Sequence, residues 1–145
     1  MTLRRTARVW PAFAAGALAA LTALPVPAIG QELCGRPSEA PDALLSRLTK
    51  AEKLREDFRD KSYVAISDKA KETVWTFTVP GHPAHPSVVC RRPAQDGDNL
   101  KLQMNVRCNA TESECEKLVK AFQELNQRMI QELRKQQDLK KQQAK

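Results

Sequence analysis

Most of the signatures that announce a chemistry are missing from this chain. It has no Cys-x-x-Cys pair, nucleophile elbow, phosphate-cradling glycine loop, dinucleotide fingerprint or His-Glu-x-x-His run. The first absence argues against a thioredoxin-like redox enzyme and a zinc knuckle. The others remove the common hydrolases, nucleotide enzymes and metalloproteases. Histidine is scarce: His82 and His85 are the only two, and no Asp or Glu lies between positions 73 and 95 to complete a catalytic or metal set around them. The carboxylates Glu112, Glu114 and Glu116 cluster at a helix start, where they serve the helix dipole. These absences point to a non-enzymatic protein with no cofactor.

An excess of positive charge is also missing from the body of the chain. The formal charge is +7, from 24 basic and 17 acidic residues. Three of the positives, Arg4, Arg5 and Arg8, lie in the leader, and Arg134, Lys135, Lys140, Lys141 and Lys145 lie in a tail that holds only Asp138. Residues 31–133 therefore balance, and nucleic acid is not expected as a partner.

What is present begins with an address. The basic leader is followed by an uncharged Ala/Leu run from Phe13 to Leu24, then by Pro25 and Pro27 and small residues at Ala28 and Gly30. This order predicts a cleaved signal peptide over 1–30. An uncleaved anchor over Val9 to Ile29 is the alternative, disfavoured by the alanines and the proline break. All four cysteines, Cys34, Cys90, Cys108 and Cys115, fall after the leader. An even count in a short exported chain implies two disulfides, with three possible pairings.

The rest, 31–133, reads as one α+β domain. Leu44, Leu45, Leu48, Ala51, Leu54 and Phe58 recur at helical spacing and predict a helix from Ser38 to about Arg59, capped by Ser38 or Asp42. Strands are expected at Tyr63–Ile66, Thr73–Val79, Ser87–Arg92 and Leu100–Cys108, with Pro93 ending the third. In the second, Trp75, Phe77 and Val79 point one way and Thr76 and Thr78 the other, which predicts a buried face and a wet face. Thr111-Glu-Ser-Glu114 has the form of a capping box before the stripe Leu118, Phe122, Leu125, Met129 and Leu133. The expectation is a four-stranded antiparallel meander covered on one face by the N-terminal and C-terminal helices. If Arg92 pairs with Leu100, Cys90 lies far from Cys108, so Cys108 is expected to pair with Cys115 and Cys34 with Cys90. Residues 134–145, with one leucine, are expected to form a basic, fraying helical tail able to touch anionic membrane surfaces weakly.

The loop from Pro80 to Pro86, Pro-Gly-His-Pro-Ala-His-Pro, admits three readings. It is a stiffened connector, a rigid recognition ridge, or part of a metal site. For the metal reading, Pro83 and Pro86 favour an extended path that sets the histidines roughly 9 Å apart, which is poor ligand geometry unless the chain turns at Ala84. The candidate binding residues are His82 and His85, with Trp75, Thr76 and Thr78 of the adjoining strand. Trp75-Thr-Phe-Thr78 followed by Pro80-Gly-His-Pro-Ala-His-Pro86 resembles a segment of small exported bacterial proteins without an assigned activity. The likeness covers about fifteen residues, implies a periplasmic location and transfers no catalytic residue. The expected function is a binding or adaptor role toward an envelope protein or polymer, with metal binding by His82 and His85 as the alternative.

Overall fold

Apolar alternation builds a single sheet here, and it does so on both faces. The computed structural model describes residues 32–97 and 99–143; the expected leader lies outside them. Five strands, β1 (Glu56–Arg59), β2 (Tyr63–Asp68), β3 (Thr73–Thr78), β4 (Ser87–Asp96) and β5 (Asn99–Cys108), form an antiparallel meander in sequence order. A short helix α1 (Pro41–Ser46), continued by a π-helical turn (Arg47–Ala51), precedes the sheet, and α2 (Glu112–Gln143) follows it. The class is α+β, but the strand count, the helix boundaries and the layering differ from expectation.

The extra strand is carved from the expected first helix. Lys53 adopts a left-handed conformation (φ 54°), and the N–H of Leu54 donates back to the carbonyl of Leu48 at 2.9 Å, closing the helix one turn after Leu48. Leu54 thereby folds against the core, and the chain beyond it is released to pair as β1 with β2. Phe58 continued the helical spacing by coincidence; it sits in β1, 52 % exposed. The helix start is also corrected. Ala40 is the N-cap and Pro41 occupies the first turn, while Ser38 accepts a hydrogen bond from Nη1 of Arg107 at 2.9 Å.

The two helices lie on opposite faces rather than on one. Register decides this: Trp75 pairs with Cys90 and Cys90 with Asn105, whereas Thr76 pairs with Val89 and Val89 with Val106. The inward residues of β3 and those of β5 therefore belong to different faces. Trp75, Phe77, Val64, Ile66, Val88 and Cys90 pack with Leu44 and Leu48 of the N-terminal helix. Val89, Met104, Val106 and Tyr63 pack with Leu118 and Phe122 of α2. A run such as Val88-Val89-Cys90, buried throughout, is the mark of a strand covered on both sides. Thr76 and Thr78 are consequently buried beneath the second layer, not wet.

Strand β4 also passes through Pro93 and ends at Asp96, pairing Arg92 with Gln103 rather than with Leu100. Pro93 lies beyond Arg91, the last β4 residue paired to β3, so one side of the strand is already unpaired there. A missing N–H directed to that side costs no ladder bond.

Disulfides join Cys34 to Cys90 and Cys108 to Cys115. The first fastens the N-terminal segment across the sheet. Arg36 reinforces it with a two-pronged contact to Glu52 at 2.5 and 2.7 Å, a longer approach to Asp68 at 3.7 Å, and a position 5.7 Å over the Trp75 ring. The hydrogen bonds from Arg36 hold the Glu52 carboxyl below the usual carboxylate range. At the other end, α2 runs on for a total of 32 residues, roughly 48 Å. Its last buried residue is Asn126, and every side chain described beyond Ile130 is exposed.

Candidate binding surfaces

The Pro80–Pro86 loop folds back on the domain instead of forming an extended ridge. Two consecutive turns close through His82 N–H to the Val79 carbonyl (3.1 Å) and His85 N–H to the His82 carbonyl (2.9 Å). Ala84, at the tip, is buried in the α2 layer beside Leu118 and Phe122. The N–H of Ala84 donates to Nδ1 of His82 at 3.0 Å. That bond assigns the ring proton to Nε2, which donates to the Tyr63 hydroxyl at 2.9 Å. Both nitrogens of His82 are therefore committed to holding the loop. His85 is held through Nδ1, which donates to the Thr78 carbonyl at 3.0 Å; among the described residues its Nε2 makes no hydrogen bond.

Tyr63 is the hinge of this arrangement, and the sequence reading did not single it out. Its ring meets His82 at 5.0 Å and Phe122 edge-on at 5.8 Å, so it ties β2, the loop and α2 together. Burial, with the nearby Asp60 charge, pushes its hydroxyl above the usual phenol range. Thr78 completes the clamp by accepting the Ser87 N–H at 2.9 Å. Trp75 sits on the opposite face of the sheet, 1 % exposed. The five candidate residues thus do not form one surface. His82, His85 and Thr78 lock the loop, Trp75 fills the other core layer, and Thr76 lies under α2. Among the described residues no group of three His, Cys, Asp or Glu side chains is placed to hold a metal ion, and all four cysteines are in disulfides.

The accessible surface lies elsewhere, at the outer edge of β5. Among the described residues this strand pairs with β4 alone, over ten residues without a register break. The other outer strand, β1, is four residues long, carries a register shift between Glu56 and Phe58, and bears the Glu56–Arg59 ion pair. Short length, a bulge and charge are the usual means of blunting a sheet edge, and β5 has little of them. The Asn109 N–H donates to the Pro86 carbonyl at 3.0 Å, and alternation along the ladder from there leaves the N–H and C=O groups of Leu102, Met104 and Val106 directed at the open edge.

A cleft of about 990 Å³ follows that edge, walled on one side by the segment from Glu32 to Ser38 and on the other by the start of α2. Its polar floor carries Arg92, Gln103, Asn105 and Arg107. Arg92 donates to Gln103 at 2.7 Å and Arg107 to Ser38 at 2.9 Å. Among the described residues neither arginine is within ion-pair distance of a carboxylate. The signal that could have found this site is Arg92, a charged residue that continues the strand face of buried Val88 and Cys90.

No protein-family model matches the chain, nor does any curated protein or solved structure. Its own features define the class: a small α+β protein whose two disulfides belong to an oxidising, extracellular type of compartment. Among the described residues no helix is long and apolar enough to cross a membrane.

Proposed function

We propose that this protein is a non-enzymatic binding or adaptor protein of the bacterial periplasm, and that it captures an extended, acidic segment of an envelope protein by strand addition at β5. The observation that carries this reading is the unblunted edge of β5, whose residues 103–108, Arg107 among them, line a cleft that also holds Arg92. Backbone groups of Leu102, Met104 and Val106 supply sequence-independent affinity, and the two guanidinium groups select for carboxylates on the added strand. The leader, the disulfides and the resemblance of the Trp75–Pro86 segment to small exported bacterial proteins support the location. The folded-back loop keeps its place in the reading as a rigid brace for the sheet rather than as the contact surface.

The test uses the disulfide-intact protein and a synthetic peptide alternating Glu with Val as a probe. Binding should slow amide exchange at Leu102, Met104 and Val106, weaken with added salt, and weaken on Arg92→Glu. Exchange unchanged at those three amides, with shifts confined to the loop or to α2, would remove the edge from the function.

A further inference from the structure

A second depression lies on the α2 side of the sheet, away from the β5 edge. Helix α2 packs over β4 and β5 and leaves the neighbouring strip of β2 and β3 only partly covered. Along this strip runs a groove of about 310 Å³, near the lower limit of small-molecule sites, roughly 300 Å³. Ala65 pairs with Thr76 across β2 and β3, and the small alanine leaves the floor open beside the threonine. Phe122 and Leu125 form one wall, and exposed Phe58 stands at the rim.

Two polar groups in this apolar setting have unmet hydrogen-bonding capacity. Thr76 is only 7 % exposed, and its hydroxyl has no hydrogen-bond partner among the described residues. Arg91, on the same face and diagonal to Thr76 across the β3–β4 ladder, has a buried Nε that is likewise unpartnered. The rest of its guanidinium rests on the Met129 sulfur at 3.5 Å and over the Phe122 ring at 5.3 Å. Arg91 is half-buried, and a guanidinium partly withdrawn from water is stabilised by pairing with a carboxylate. The residues lining the groove include Arg91 and Arg128 and no Asp or Glu. Burial draws Arg91 down from the usual guanidinium range without removing its charge.

We propose that this groove binds a small amphipathic monocarboxylate, its carboxylate held by Arg91 and Thr76 and its apolar chain lying along Phe58, Phe122 and Leu125. A carboxylate offers the acceptors that the Arg91 N–H groups and the Thr76 hydroxyl lack. The chain covers the groove that α2 leaves open over β2 and β3. The site is independent of the β5 cleft, which faces a different edge of the sheet.

Octanoate is the probe and 1-octanol the neutral control, titrated into the disulfide-intact protein and followed by amide chemical shifts and calorimetry. Octanoate should bind saturably, perturbing Ala65, Thr76, Arg91 and Phe122, and more tightly than the alcohol. Arg91→Gln should weaken octanoate roughly tenfold or more, the worth of a hydrogen bond to a charged group, while leaving 1-octanol unchanged. Thr76→Val deletes the unpartnered hydroxyl while keeping the shape, so it should weaken octanoate yet raise the unfolding midpoint. That opposed pair of effects keeps the test decisive if Arg91→Gln folds poorly. Equal affinity for acid and alcohol, perturbations centred on the lysines beyond residue 133, or Thr76→Val with unaltered octanoate affinity would each overturn the assignment.

Discussion

Removing the two disulfides one at a time should reveal a large asymmetry between them. Cys34 and Cys90 are 56 positions apart in sequence, and Cys108 and Cys115 are 7 apart. Loop-closure entropy for the larger ring comes to about 14 cal/mol/K, or about 4 kcal/mol at 25 °C, against about 2.4 kcal/mol for the smaller. The packing terms point the same way. Cys90 is fully buried and Cys34 nearly so, in the layer formed by Leu33, Leu44 and Trp75, so Cys34→Ala with Cys90→Ala also leaves a cavity costing about 1 kcal/mol or more. Cys108 and Cys115 are partly exposed at the corner between β5 and α2, where little space is lost.

Against a typical domain stability of about 5–15 kcal/mol, the first pair consumes a large share and the second a modest one. Urea unfolding of a chain of residues 31–145 followed by Trp75 fluorescence measures both, since Trp75 is the one tryptophan in that range and lies in the affected layer. The Cys34→Ala/Cys90→Ala variant should lose at least about 2 kcal/mol more than Cys108→Ala/Cys115→Ala. It should also unfold with a steeper urea dependence, because the freed chain exposes more surface. Equal losses, a reversed order, or an unchanged slope would refute the view that the long ring acts chiefly on the unfolded chain.

Two further outcomes are expected. Glu52→Gln should cost roughly 1 kcal/mol at neutral pH, the Arg36 contact being partly screened at 14 and 28 % side-chain exposure. Because the folded-state carboxyl titrates below its unfolded value, that stabilisation is complete above the ordinary carboxylate range and is lost as pH falls through the depressed value. Melting curves of the two proteins should therefore converge in acid, and a gap independent of pH would contradict the assignment. Deleting residues 134–145, whose described side chains are all exposed, should change stability by less than about 0.5 kcal/mol. We propose that it also reduces binding to phosphatidylserine vesicles and that salt mimics the deletion; unchanged vesicle binding would exclude the tail from a membrane role.

Much of the fold is legible locally. The strict alternation of Thr73–Val79 and Leu100–Cys108 marks strands because successive side chains of a strand point to opposite faces, and the Thr111 box marks the start of α2 because its hydroxyl accepts the Glu114 N–H. The short-range Cys108–Cys115 pair follows from the corner that the two elements must make. The end of the first helix is less legible. Leu54 and Phe58 keep the helical spacing, and no glycine or proline marks the break at Lys53, which is set by tertiary closure onto Leu48. A backbone bond made only when the core forms leaves no mark in residue order.

The candidate surfaces were illegible for a related reason. Alternation tells which residues of one strand share a face, but not whether two strands turn their apolar sets to the same side. One pairing register separates the layering expected from the sequence from the one observed. With Arg92 opposite Leu100, Cys90 and Leu102 share a face; with Arg92 opposite Gln103, Cys90 shares one with Asn105. That three-residue shift, an odd number, sends the apolar residues of β5 to the α2 layer and leaves Asn105 and Arg107 to line the cleft. It also moves Thr76 from a wet surface to a covered one. A threonine on a wet face has water for its hydroxyl and needs no explanation. The same threonine beneath α2 has no hydroxyl partner among the described residues and lies beside Arg91, and the proposed carboxylate would supply an acceptor to both.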